Sequence, residues 1–193
     1  MDLILASTSR YRKALIARLG VPFRCVDPAV DEDAWKARLA DAPPRVLAET
    51  LAREKARAVA AQFPDAAVVG GDQVVAFDGA ILGKPGTADR AEAQLGAMAG
   101  RSHELITALA VVAPGREFAR TEVATLRLRP LTPAAIARYV AADHPVDCAG
   151  SYKLEERGIA LFERIEAEDH SAITGVPLMA LTSILLELGF AIP

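Results

Sequence analysis

VVGGDQVVAFDGAILGKPG, residues Val68 to Gly86, is the stretch on which the reading of the fold turns. An apolar run and a Gly-Gly pair set one acid, Asp72, among Val68, Val69, Val74 and Val75, before Asp78-Gly79 and Lys84-Pro85. A carboxylate between apolar strand positions loses hydration, so its presence implies a cation, a metal or a proton to accept. Asp-Gly favours tight two-residue hairpin turns. The spacing therefore predicts a strand, a turn and a return strand that carries Lys84 back toward the Asp72 end as a partner. An edge-strand Asp bonded to neighbouring backbone, with Lys84 solvated, accounts for the same residues, and both readings stand at this point.

Working outward, the chain alternates strand-like and helix-like patterns, the signature of an α/β layer fold with a mixed sheet. Leu3 to Ala6 is predicted as a buried strand and Arg12 to Leu19 as a helix, with Ser7, Thr8 and Ser9 as cap candidates and Gly20 at its end. Hydroxyls, free helix-start N–H groups, Arg10, Arg12 and Lys13 at that junction suit an anion, although an ordinary cap with a solvated basic turn needs no ligand. Phe23 to Val26 reads as a strand and Asp27, Asp31, Glu32 and Asp33 as an acidic loop, either solvated or offering oxygen ligands to a divalent metal. From Arg45 to Phe63 a helix is expected. Leu47, Leu51, Lys55, Val59 and Phe63 recur every four residues, so Lys55 lies within the apolar stripe. Its ammonium either snorkels outward or points into a cleft lined by acids or phosphates.

Beyond the hairpin, a helix is predicted from Ala88 to Met98 and a long hairpin from His103 to Val112 and Glu117 to Leu128 about Pro114-Gly115. A further helix is read from Pro133 to Ala142, a strand from Ile159 to Ile165 and a closing amphipathic helix from Pro177 to Leu188. The 193 residues, 52% hydrophobic and 24% charged, fit one large domain or two small lobes sharing a sheet. A net charge of -3 argues against a general nucleic-acid or membrane-surface binder, so an anionic ligand must meet a local basic cluster. Met1-Asp2 followed by LILA lacks a signal-peptide pattern, and no run of about 18 apolar residues occurs, which leads us to expect a soluble cytoplasmic protein. Cys25 and Cys148 form no CxxC pair and are expected to be small buried hydrophobes. Phosphate-loop, dinucleotide, zinc-protease and nucleophile-elbow motifs are missing.

Three segments carry a resemblance: ASTSRYRKALIARLG at Ala6 to Gly20, GGDQVVAFDGAILGKPG at Gly70 to Gly86, and CAGSYKLEERGIALFERI at Cys148 to Ile165. They resemble the Maf family of nucleoside triphosphate pyrophosphatases, and within it the branch acting on 7-methyl-GTP. The resemblance covers nearly the whole chain. It implies an elongated inosine-triphosphatase-like α/β domain over residues 1–193, as one body or as two lobes around a cleft. It also implies a divalent cation, Mg²⁺ or Mn²⁺, and commonly a homodimer. The implied reaction cleaves the α-β phosphoanhydride to a monophosphate and pyrophosphate.

By the same resemblance Ser7 and Arg12 belong to the substrate-binding opening, and Glu32, Lys55 and Lys84 to the catalytic set with Asp72 as proton acceptor. Glu32 and Asp72 would hold the metal. Tyr11, Gln73 and Glu155 fall on the positions associated with base specificity, where a pyrimidine-preferring member has Thr in place of Gln73. Arg10 stands where many members have Pro, and Ala108 where many have Gly. Pyrimidine or broad substrates, and a non-catalytic nucleotide-binding regulator of septum formation, are the alternatives the resemblance carries with it.

Overall fold

A computed structural model describes residues 1–192. Its elements run β1 (Leu3–Ala6), α1 (Arg10–Ala17), β2 (Phe23–Val26), α2 (Glu32–Arg38), α3 (Pro44–Ala60), β3 (Ala67–Phe77), β4 (Ala80–Leu82), α4 (Ala88–Met98), β5 (Ser102–Ala113), β6 (Arg116–Leu128), α5 (Pro133–Asp143), β7 (Phe162–Glu166), α6 (His170–Ile173) and α7 (Leu178–Glu187). Six strands lie in the order β2-β1-β3-β5-β6-β7, and β4 pairs with β3. The α/β class with a mixed seven-stranded sheet flanked by helices is as the sequence implies. Parallel pairs join β1 to β2 and to β3, with Leu5 opposite Cys25 on one side and Val69 on the other. Antiparallel pairs join β3 to β4 and β6 to β7.

The chain divides into two compact units. The first comprises residues 1–73, 106–122 and those from Glu168 onward. Side chains alternate across its sheet, so Leu3, Leu5 and Val69 pack with Leu15 and Ile16 of α1 and Leu181 and Leu185 of α7. Ile4, Val68, and Leu51 and Val59 of α3 are buried as well. Each such aliphatic side chain contributes roughly 1.5–3 kcal/mol when fully buried, so this core suffices to fix α1 and α3, which carry Arg12 and Lys55.

Residues 74–105 and 123–167 form the second unit. Leu95 and Met98 of α4, Ile136 and Val140 of α5, and Leu126 and Phe162 of the sheet are buried in it. Its β3–β4 hairpin follows the sequence reading. Asp78 and Gly79 have φ of 52° and 78°, the paired left-handed backbone that a two-residue turn of this hand requires, and Val75 faces Leu82.

Three expectations need correction, and one element, α6, was not foreseen. The acidic segment is not loop throughout: Asp31 caps a helix, α2, and accepts a hydrogen bond from Ala34 N at 2.9 Å. No residue of α2 is buried, so it has no apolar period to read. The strand expected from Ile159 starts at Phe162, because residues 157–161 form a 3-10 turn that brings Gly158 against the Lys153 backbone. The short helix α6 carries no periodic signal in the sequence. Cys25 is exposed, since β2 is a sheet edge, and Cys148 is half-buried.

Candidate active site

Glycine at position 70 decides how the first unit presents its charges. A methyl group there would lie 2.2 Å from the carbonyl oxygen of Ala52 and 2.7 Å from the nitrogen of Ala56, so α3 rests directly on β3 through small residues. Lys55, on the same turn of α3, thereby reaches Asp72 two residues along the strand. Its Nζ donates to Asp72 Oδ1 at 2.8 Å and lies 2.7 Å from Glu32 Oε1. The side chains of Lys55 and Asp72 are 7% and 10% exposed, against 43% for Glu32. Of the two courses open to the lysine, it points inward to acids. Asp72 thus takes a cation from the helix.

Glu32 comes from the first turn of α2, where Lys36 approaches its second oxygen at 3.9 Å. Arg12, half-buried on α1, donates from Nε to the carbonyl of Gly175 at 3.1 Å. Ser9 caps α1 by accepting from Arg12 N, while buried Ser7 accepts from Ser9 N at 3.1 Å. Ser9 thus caps the helix whose first turn carries Arg12.

Burial pushes the Asp72 carboxyl above its ordinary value, and nearby Glu32 adds to the rise, against the charges of Lys55 and Arg12. Partial burial also pushes Glu32 upward, but Lys55, Lys36 and Arg12 outweigh it and hold Glu32 below its ordinary value. Burial lowers Arg12 against the opposing pull of Asp72 and Glu32, and a guanidinium stays charged regardless. Two neighbouring carboxylates thus differ in their hold on a proton, with the better-buried one the more basic.

Gln73 points its amide nitrogen at Thr107 Oγ1, Ala172 O and Ile173 O, at 2.8, 2.9 and 3.1 Å. Tyr11 accepts a 2.7 Å hydrogen bond from Arg10 Nη2, and the Arg10 guanidinium lies 4.7 Å from its ring centre. The remaining two predicted residues belong to the second unit, where both are exposed: Lys84 just beyond β4, and Glu155 in the loop before the 157–161 turn. Sequence reasoning passed over the Gly175 carbonyl and Thr107, the first being a backbone group and the second one apolar-flanked threonine of a strand.

Among the described residues no three His, Cys, Asp or Glu side chains are arranged to hold a metal ion. Lys55 takes one oxygen each from Asp72 and Glu32, so the oxygens that could face an ion are Asp72 Oδ2 and Glu32 Oε2, the latter with Lys36 Nζ at 3.9 Å. Two carboxylates suit Mg²⁺ or Mn²⁺ when waters and substrate phosphates complete the shell, so the residues fit such an ion. None of the described helices is long and apolar enough to cross a membrane.

Comparison with known proteins adds a family and its named members. The sequence pattern of Maf-like proteins matches residues 2–188. A protein of Xanthomonas axonopodis pv. citri named 7-methyl-GTP pyrophosphatase is 49% identical over 191 residues, 99% of this chain and 98% of its own length. Proteins of the same name from Bdellovibrio bacteriovorus and Albidiferax ferrireducens are each 46% identical, over 95% and 98% of this chain and 95% and 94% of their own.

Proposed function

The chain belongs to the Maf family, and from that premise we propose that it is a nucleoside triphosphate pyrophosphatase acting on 7-methyl-GTP. Water attacks the α-phosphorus, the bridging α-β bond breaks, and 7-methyl-GMP and pyrophosphate leave. The observation that carries the chemistry is the buried Lys55–Asp72 pair with Glu32 on the same ammonium. Asp72, its proton affinity raised by burial, is suited to accept the proton of the attacking water. Lys55 keeps that carboxylate oriented and ionised. Arg12 supplies a fixed positive charge toward phosphate oxygens.

Charge balance supports a divalent cation as well. Lys55 and Arg12 are cancelled by Asp72 and Glu32, so this group alone presents no net positive charge to a polyanion. Mg²⁺ or Mn²⁺, held by Glu32 and Asp72, would supply the charge that neutralises the phosphates. Phosphate contact by Lys84 and base contact by Tyr11 and Glu155 are assigned on the motif match, as is a homodimer.

Pyrophosphate release, measured with Mg²⁺ across 7-methyl-GTP, GTP, UTP and dTTP, tests the proposal. We expect kcat/KM for 7-methyl-GTP to exceed the others by about tenfold or more, a difference of roughly 1.4 kcal/mol in the barrier. Preferred cleavage of UTP or dTTP would move the chain to the pyrimidine-specific group, and no release from any triphosphate would leave a nucleotide-binding regulator.

A further inference from the structure

The amide nitrogen of Gln73 faces two backbone carbonyls, which can only accept, so its orientation is fixed by chemistry. Thr107, 1% exposed, accepts from that nitrogen and donates its own hydroxyl to Ala172 O at 2.9 Å. A strand glutamine and a strand threonine together hold one short segment of chain, residues 172 and 173. The segment is fastened at its ends too: Asp169, 6% exposed, accepts from the backbone nitrogens of Ser171 and Met179, and Ser171 Oγ accepts from Leu178 N.

What this fastened segment presents is the Gly175 carbonyl, the acceptor for Arg12 Nε. Gly175 has a φ of 117°, which disfavours any side chain, and a methyl group there would lie 3.5 Å from Arg12 Cγ and Nε. A methyl group on Gly71 would lie 3.5 Å from Arg12 Nε as well. Arg12 therefore runs past two glycines, and the Gly175 carbonyl that fixes its direction lies two residues beyond the Ile173 carbonyl that Gln73 holds and three beyond the Ala172 carbonyl that Gln73 and Thr107 share.

We propose that Gln73 and Thr107 are positioning residues which aim Arg12 through the 169–179 segment, the donor nitrogen of Gln73 being committed to this clasp. The inference rests on the pyrophosphatase reading for the role of Arg12 toward phosphates. It separates from that reading through a ligand without a base.

Inorganic tripolyphosphate offers phosphates alone. Its Kd is measured by calorimetry with Mg²⁺ for wild type, Gln73→Met, Thr107→Val, Thr107→Ser, and the first two again in an Arg12→Ala background. Each clasp variant is expected to weaken tripolyphosphate about fivefold, the loss of roughly one net hydrogen bond, with Thr107→Ser restoring the wild-type value. In the Arg12→Ala background the same substitutions should add less than about twofold, because the group they aim is gone. A parallel cycle on KM for 7-methyl-GTP should repeat the pattern with kcat little changed.

Equal weakening in both backgrounds would overturn the inference. So would unchanged tripolyphosphate affinity together with an altered preference for 7-methyl-GTP over GTP, which is the result for a glutamine that reads the base directly. Should Thr107→Val fail to fold, the Gln73→Met cycle decides alone. Absence of pyrophosphate release by wild type would overturn the pyrophosphatase reading and leave the tripolyphosphate cycle to judge the clasp.

Discussion

Gly70 faces Ala52 so closely that a single added methyl would stand 2.2 Å from the helix carbonyl. No ordinary side-chain carbon approaches an oxygen to that distance, so the layer spacing between β3 and α3 depends on that missing carbon. The same spacing lets a lysine on the helix meet an aspartate on the strand at 2.8 Å.

Gly70→Ala should therefore act on stability and activity together. Backbone on the helix side cannot yield as a flexible side chain would, and overpacking of this kind is expected to cost on the order of 3 kcal/mol. Gly71→Ala meets nothing nearer than 3.5 Å and should leave the unfolding midpoint almost unchanged. Urea titration of the two variants checks the contrast, and equal midpoints would show that α3 can shift at little cost.

The hairpin was legible because Asp78-Gly79 and the apolar runs around it are local signals, and Lys55 stood out as one charge in a four-residue apolar period. The partner of Asp72 was not legible in the same way. Choosing between Lys84 and Lys55 requires knowing which helix lies on Gly70, and that depends on Ala52 and Ala56, whose smallness marks nothing in a sequence rich in alanine. Helix α2 was hidden because it buries no face, although Asp31 as cap, Glu32 and Asp33 in the first turn, and Lys36 and Arg38 in the last were its signature. The clasp on Arg12 ends on backbone carbonyls of residues about a hundred positions from Gln73, and sequence patterns do not report backbone partners.

In the second unit, His103 should make the protein sensitive to acid. It is 3% exposed, shares a 3.0 Å hydrogen bond with Tyr152, and has no partner for Nδ1. Burial holds its pKa down at about 4, against 6.5 unperturbed. The native state then binds fewer protons than the unfolded chain between those values, so stability falls as pH drops from 6.5 to 4, by up to about 3 kcal/mol. His103→Phe should reduce that slope in urea unfolding midpoints measured from pH 7 to 4.5. An unchanged slope would mean that other groups carry the acid response.

Removing Lys55 should give a stability loss that grows with pH. Lys55→Met leaves two carboxylates without their shared cation, and breaking a buried pair typically costs about 3–5 kcal/mol. Asp72, already held above its ordinary value by burial, then rises further, so the native state retains a proton that the unfolded chain has released. The contribution of Asp72 to the variant's stability is fully present below its unfolded pKa and is lost as pH climbs through the raised folded pKa. The gap between variant and wild type should be larger at pH 8 than at pH 5, and a gap independent of pH would mean that packing of the lysine stem, not charge, is what the substitution removes.

Asp72→Asn tests the base. The amide keeps the size of the side chain and can still accept from Lys55 Nζ, so the fold should be largely retained. It cannot take a proton from water, and kcat should fall by about 10²–10⁴, the usual contribution of a positioned general base. In wild type the acid limb of kcat/KM should lie above the ordinary carboxylate range, since burial raises Asp72 and activity needs its ionised form. In Asp72→Asn the residual rate should lose that limb. An unchanged limb with kcat near the wild-type value would take the base role away from Asp72, leaving it a structural anchor for the lysine.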